Sequence, residues 1–126
     1  MNDYLYSKDH QWILTENNLA TVGVSDFAQE ELGEIAFVEL PAIGTRVKSG
    51  QAVCSIDSLK STSEIYAPAS GEIAEVNTVL EDEEKCGIIN SDPLGEGWIF
   101  VIRMSDPKEL ESLMSLEEYT SFTDAG

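Results

Sequence analysis

Basic residues are scarce in this chain. Seven Lys and Arg stand against 24 Asp and Glu among 126 residues, which gives a formal net charge of −17. A surface of this charge repels phosphates, so the composition argues against binding to nucleic acid or to anionic membranes. It permits attraction toward basic patches on protein partners, although solubility alone accounts for the charge equally well.

Cysteine and histidine are scarcer still. The chain has two cysteines, Cys54 and Cys86, and one histidine, His10. No paired Cys/His spacing is present, so no zinc site or other metal site is predicted. Both cysteines lie in or beside apolar segments, which favours two free buried thiols over a disulfide.

Long hydrophobic runs are also missing. No apolar segment approaches the roughly 20 residues that a membrane-spanning helix needs. Residues 1–15 carry neither a basic leader nor an apolar core, so no signal peptide is predicted. We therefore expect a cytoplasmic protein that forms a single domain over residues 1–126.

What the chain does contain is a series of short β-type runs separated by turn residues, which predicts a mainly β fold, a small barrel or sandwich. One short helix is predicted near residues 26–32, capped by Asp26 with Gln29 three residues on. Gly33 is expected to end it. The periodicity becomes helical near the C-terminus, which predicts a helical extension over residues 106–122. The strands are predicted at 11–15, 19–24, 35–40, 53–56, 65–67, 72–77 and 98–104.

Lys60 is the most informative single residue. It lies in a polar stretch between two β-type runs, as a hairpin connection would, with acids at Asp57 and Glu64. Such a lysine offers a primary amine to solvent, where an enzyme can acylate it. From the local sequence alone, an ordinary surface lysine is the simpler interpretation, since loop residues are only enriched for function.

The glycine spacing around Lys60 resembles that of lipoyl- and biotinyl-carrier domains. Gly44 lies 16 residues before the lysine and Gly71 lies 11 after it. Biotin carriers usually place methionine on both sides of the lysine, whereas Leu59 and Ser61 flank it here, so the lipoyl type fits better. This resemblance implies two four-stranded sheets packed as a flattened barrel, a barrel-sandwich hybrid, with the lysine at a hairpin tip.

Further blocks resemble the H protein of the glycine cleavage system over nearly the whole chain, from about Tyr6 to Phe122. The blocks that carry the resemblance include His10-Gln11-Trp12, Ala20-Thr21-Val22-Gly23-Val24, Leu32-Gly33-Glu34, Phe37-Val38-Glu39-Leu40-Pro41, Ser70-Gly71-Glu72, Asp92-Pro93 and Gly95-Glu96-Gly97-Trp98. The same resemblance accounts for the C-terminal helices, which simple lipoyl domains lack.

The resemblance implies that Lys60 carries lipoate in amide linkage and that the protein is a carrier rather than an enzyme. The arm would take an aminomethyl group from glycine decarboxylase (P protein) and deliver it to the aminomethyltransferase (T protein). Dihydrolipoyl dehydrogenase (L protein) would then reoxidise it, and a lipoyltransferase or lipoate ligase would attach it. Asp57, Ser58 and Glu64 would serve recognition around the arm, although turn solubility explains the two acids equally well.

Two departures from the family pattern give rise to an alternative. Gln11 stands where the family usually has glutamate, and Phe27 stands where it usually has histidine. The family places both positions near a cleft that shelters the loaded arm, and neither residue supplies a negative charge there. The alternative is an H-like lipoyl or octanoyl relay, or a redox carrier, that does not take part in glycine oxidation. A purely structural interaction module is a third interpretation.

Overall fold

The computed structural model describes residues 4–82 and 84–125, and within them the mainly β prediction is confirmed. Glu83, in the acidic loop, lies outside the described residues. The nine strands are β1 Leu5–Tyr6, β2 Gln11–Glu16, β3 Leu19–Val24, β4 Ile35–Glu39, β5 Arg46–Val47, β6 Ala52–Ser58, β7 Thr62–Tyr66, β8 Gly71–Val76 and β9 Phe100–Met104. The helices are α1 Asp26–Leu32, α2 Ile88–Ser91 and α3 Leu116–Ala125, with 3₁₀ turns at Thr78–Glu81 and Pro107–Ser112.

The strands form two antiparallel sheets. Six strands make one sheet in the order β1-β2-β3-β9-β8-β5, and three make the other in the order β4-β6-β7. Two four-stranded sheets were expected. The unequal division arises because β3 pairs with β9, Val22 opposite Phe100, which attaches the whole N-terminal hairpin to one sheet. Strand partners of this kind are set by side-chain packing across the sheets and leave no local mark in the sequence.

The main hydrophobic core lies between the sheets. Alternate residues of facing strands enter it, as expected for sheets with one buried and one solvated face. Ile13 and Ile102 from the larger sheet and Ile56 from the smaller one are fully buried in the same cluster. This core fixes the orientation of the β6–β7 hairpin that carries Lys60.

Three local predictions differ from the structure. Ser25, not Asp26, caps α1, because its side chain accepts a hydrogen bond from Ala28 N–H at 3.1 Å while Asp26 is already helical. The short helix α2, Ile88–Ser91, lies where no helix was predicted. The predicted helical extension over residues 106–122 is divided into a 3₁₀ turn, Pro107–Ser112, and the helix α3, Leu116–Ala125.

Both cysteines are buried, as predicted, and neither forms a disulfide within the described part of the chain. No helix in the described part of the chain is long and apolar enough to span a membrane. No group of His, Cys, Asp and Glu among those residues is arranged to hold a metal ion.

Candidate functional site

Lys60 lies at the tip of the β6–β7 hairpin, and Ser58 shapes the turn around it. Ser58 N–H donates to the Ser61 carbonyl at 2.8 Å. The Ser58 hydroxyl donates to the same carbonyl and accepts from Lys60 N–H at 3.3 Å and Ser61 N–H at 3.0 Å. A serine that bonds the backbone two and three residues on stabilises a tight turn. Lys60 is exposed, so its amine faces solvent, and the turn that carries it is held by these hydrogen bonds.

Asp57 and Glu64 lie on the outer face of the three-stranded sheet, just below the tip. Asp57 pairs with Thr62 across the hairpin, and Glu64 pairs with Ser55. Glu39 on β4 lies in the same row as Ser55. The Glu64 carboxylate raises the pKa of Tyr66, first by a hydrogen bond and second by its charge. The face that leads to Lys60 is therefore acidic.

A cleft of about 230 Å³ opens beside the hairpin, between it and α1. Phe27 lies in its wall. Two carboxylates that no motif indicated, Asp9 and Glu31, also line it. The lining residues are Asp9, His10, Val24, Phe27, Ala28, Glu31, Leu32, Ser61, Thr62, Ser63 and Ile65. The cleft therefore combines apolar walls with negative charge. Ser61, the residue that follows Lys60, forms part of its lining.

Gln11 does not line this cleft. Its side chain is only 1% exposed. Its oxygen accepts from Tyr66 N–H at 2.7 Å, and its nitrogen donates to the Tyr66 carbonyl at 2.6 Å. The amide therefore joins β2 to the end of β7, a role that needs both a donor and an acceptor.

A hydroxyl network ties the cleft wall to the C-terminal helix. Tyr119 of α3 shares hydrogen bonds of 2.7 Å with His10 Nδ1 and with the Ser25 hydroxyl. The His10 ring lies 4.7 Å from Phe27, centroid to centroid. Burial raises the pKa of Tyr119, while the Ser25 hydrogen bond opposes that rise. Tyr119 is 109 residues from His10 in sequence, so only the tertiary structure reveals this contact.

The two facing sheets and the lysine at a hairpin tip define the class: a barrel-sandwich fold of the lipoyl- and biotinyl-carrier type. A family model described as glycine cleavage H-protein matches residues 4–125. The chain belongs to the glycine cleavage H-protein family, which confirms the resemblance found in its sequence.

Individual relatives agree over most of their length. The chain is 51% identical over 118 residues to the glycine cleavage system H protein of Coprothermobacter proteolyticus, covering 93% of this chain and 91% of that one. It is 50% identical over 117 residues to a probable glycine cleavage system H protein of Aeropyrum pernix, covering 93% and 80%. A crystal structure of a glycine cleavage system H protein from Mycobacterium marinum matches with a TM-score of 0.86 at 32% identity, covering 97% of each chain.

Proposed function

We propose that this protein is the lipoyl carrier of a glycine cleavage system, with lipoate in amide linkage on Lys60. The observation that carries the proposal is the exposed amine of Lys60 on a turn ordered by Ser58, in a chain of the H-protein family. A reactive group on a long arm anchored at an ordered tip has a raised local concentration at each partner's active site. The described chain would act as one domain and as a carrier, with the catalysis residing in its partners.

The residues around Lys60 fit such a group. Attachment needs an amine that an enzyme can reach, and Lys60 is exposed. In that step the neutral amine attacks the carboxyl carbon of an activated lipoyl donor. The amide bond forms as the donor's leaving group departs, and the nitrogen gives up one proton. The adjacent apolar wall of Val24, Phe27 and Leu32 offers an environment suited to the hydrocarbon part of the arm.

Once attached, lipoate would supply a dithiolane that is reduced as it takes up an aminomethyl group and that is later reoxidised. An aminomethyl group is a cation near neutral pH, so its shelter requires a counter-charge. Asp9 and Glu31 bring carboxylates to the cleft, and the Phe27 ring offers a face to a cation. The absence of charge at Phe27 is therefore offset within the same cleft, and Gln11 lies outside it. This arrangement supports the glycine-cleavage role over a relay or redox role.

The partners that fit are glycine decarboxylase, the aminomethyltransferase, dihydrolipoyl dehydrogenase, and a lipoyltransferase or lipoate ligase. Asp57 and Glu64 would meet basic groups on these enzymes, because complementary charge sets orientation and speeds encounter. Ser58 would contribute by holding the turn.

The attachment proposal is tested by incubating the apo protein with a lipoate ligase, ATP and lipoate and then measuring intact mass and mapping the modified peptide. We expect one lipoyl adduct, on Lys60. Lys60→Arg should remain unmodified and folded, because an exposed turn residue contributes little to stability. Lys48→Arg, at an exposed lysine near the opposite end of β6, is the matched control and should be modified normally. An adduct that persists in Lys60→Arg would contradict the proposal.

The cleft proposal is tested with Asp9→Asn combined with Glu31→Gln. We expect lipoylation to proceed as in wild type, while glycine-dependent aminomethyl transfer through the protein falls by about tenfold, the loss of one favourable charged contact of roughly 1.4 kcal/mol. Glu16→Gln with Glu96→Gln, two exposed acids outside the cleft lining, changes the net charge equally and controls for it. Equal transfer rates for both pairs would show that the two cleft carboxylates do not hold the loaded arm, whereas no transfer through the lipoylated wild-type protein would favour the relay or redox alternative.

A further inference from the structure

The Lys60 hairpin rests on the loop that follows α1. Leu59 N–H donates to the Glu34 carbonyl at 3.0 Å. The Lys60 side chain lies along Gly33: a Cβ placed on Gly33 would lie 3.4 Å from Lys60 Cε, 3.8 Å from Cδ and 3.9 Å from Cγ. Three consecutive side-chain carbons of the lysine therefore pass over backbone that carries no side chain.

Gly33 has a conformation that almost only glycine adopts. Its φ of 78° and ψ of −156° fall in a region closed to residues with a Cβ. Its N–H ends α1 by donating to the Gln29 carbonyl at 3.0 Å. Its carbonyl accepts from Asn90 Nδ2 at 2.7 Å. Both sides of this peptide segment are thus fixed by hydrogen bonds.

Asn90 holds the loop through three hydrogen bonds. Besides Gly33, its Nδ2 donates to Gln29 Oε1 at 3.1 Å, and its Oδ1 accepts from Ile35 N–H at 3.0 Å. Both donor hydrogens and the acceptor of the amide are used, so only asparagine chemistry satisfies all three partners. Asn90 belongs to α2, so it ties the segment beneath Lys60 to another part of the fold.

We propose that Asn90 and Gly33 are positioning residues for the carrier lysine, an inference that rests on the proposed function. Asn90 sets the loop, the bare backbone of Gly33 receives the aliphatic stem, and the amine then leaves the tip in a defined direction. A lysine side chain has large rotamer entropy, which an acylating enzyme must remove on binding. A lysine side chain that is already ordered on Gly33 lowers this entropic cost for the attaching enzyme and for every partner that binds the arm.

The test compares Asn90→Ala with Asn77→Ala. Asn77 is a matched control because it is buried and donates two hydrogen bonds of 2.8 Å to backbone carbonyls, at Glu96 and Trp98. Two readouts are needed: kcat/KM for lipoate attachment by a lipoate ligase with ATP, and the nuclear Overhauser contact between Lys60 Hε and Gly33 Hα. We expect Asn90→Ala to lose the contact and to lower kcat/KM by about tenfold, as a small misplacement of a reacting group does.

Asn77→Ala should keep both readouts at a matched fraction folded. If Asn90→Ala does not fold, Asn90→Asp retains the acceptor for Ile35 N–H but lacks the donors to Gly33, and the same losses are expected. Equal kcat/KM in the two asparagine variants, or no Lys60–Gly33 contact in the wild-type protein, would overturn the positioning role. A wild-type protein that the ligase does not modify at Lys60 would instead overturn the proposed function.

Discussion

The side-chain nitrogen of Gln11, which a glutamate would lack, decides the structural role of this residue. The family pattern suggested a cleft residue, yet both polar atoms of this side chain bond to Tyr66 inside the protein. A carboxylate of the same shape would keep the hydrogen bond from Tyr66 N–H and would face the Tyr66 carbonyl at 2.6 Å without a proton between them. The two hydrogen bonds to the Tyr66 backbone therefore require an amide at position 11.

We therefore expect Gln11→Glu to lower the free energy of unfolding by about 3 kcal/mol at pH 7, since a buried charge would face a carbonyl oxygen. The introduced carboxyl should have a folded-state pKa above its unfolded value of about 4.3. The loss should consequently be small below that pH and should grow as pH rises through the folded pKa. Urea denaturation from pH 4 to pH 8 measures it.

Gln51→Glu is the matched control for this substitution. Gln51 is exposed, and its Oε1 accepts from Lys48 N–H at 3.1 Å, which a carboxylate does equally well. Its stability should stay within about 0.5 kcal/mol of wild type at every pH. A pH-independent loss in Gln11→Glu would show that packing, not the charge, is responsible.

Cys54 offers a residue-scale test of the core. Burial, and secondarily the charge of Glu39, raise the pKa of this thiol from 9.0 to about 12. The neutral thiol is therefore favoured in the folded state, and its contribution to stability is complete below pH 9 and lost as pH rises toward 12.

At pH 8 we expect iodoacetamide to label Cys54 about a thousandfold more slowly in the folded protein than in urea, because the thiolate is the reacting species. Peptide mapping by mass spectrometry distinguishes Cys54 from Cys86. Labelling of Cys54 at the unfolded rate would mean that β6 opens readily and would contradict its burial.

At the scale of elements, α1 is held at both ends by contacts from other parts of the chain. Ser25 caps its start and bonds Tyr119 of α3, and Gly33 at its end bonds Asn90 of α2. A helix of seven residues is too short to be stable alone, so these contacts decide whether it forms. Since α1 forms one wall of the cleft, its anchoring also shapes the candidate site.

Ser25→Ala should lower the free energy of unfolding by about 2 kcal/mol, because it removes a helix cap and leaves the buried Tyr119 hydroxyl with one partner fewer. Asp26→Ala, at the exposed residue that the sequence suggested as the cap, should cost less than about 1 kcal/mol, because it removes only a first-turn charge and an exposed hydrogen bond from Gln29. Thermal and urea unfolding of both variants decide between the two caps. A larger loss in Asp26→Ala than in Ser25→Ala would restore the sequence-based assignment.

At the scale of the whole molecule, the main feature is the large negative net charge. A net charge of −17 on 126 residues produces self-repulsion that opposes the compact state. Lys60 is one of only seven basic residues, and acylation would remove its charge. The proposed holo protein would therefore be more acidic than the apo protein, with the change located at the tip that meets its partners.

Raising the salt concentration from about 0.01 M to about 0.5 M should stabilise the protein by on the order of 1 kcal/mol, because the screening length shrinks below the spacing of surface charges. Scanning calorimetry should show Tm rising by about 3–5 °C. Glu75→Lys with Glu84→Lys reduces the magnitude of the net charge by four and should show a smaller rise. An equal rise in both proteins would point to general salt effects on hydrophobic burial.

The family, the mainly β character, the position of most strands and the candidate lysine could all be predicted from the amino-acid sequence. Each of them depends on local patterns, namely the alternation of apolar residues, turn residues and motif blocks that span the chain. Other features became visible only in three dimensions: the sheets divide into six and three strands, Asp9 and Glu31 line the cleft, Gln11 binds Tyr66, and Asn90 binds the Gly33 carbonyl. The hydrogen bonds of Gln11 and Asn90 join residues that are 55 or more positions apart in the sequence. They depend on how the sheets pack over one core, and no short stretch of sequence encodes that packing.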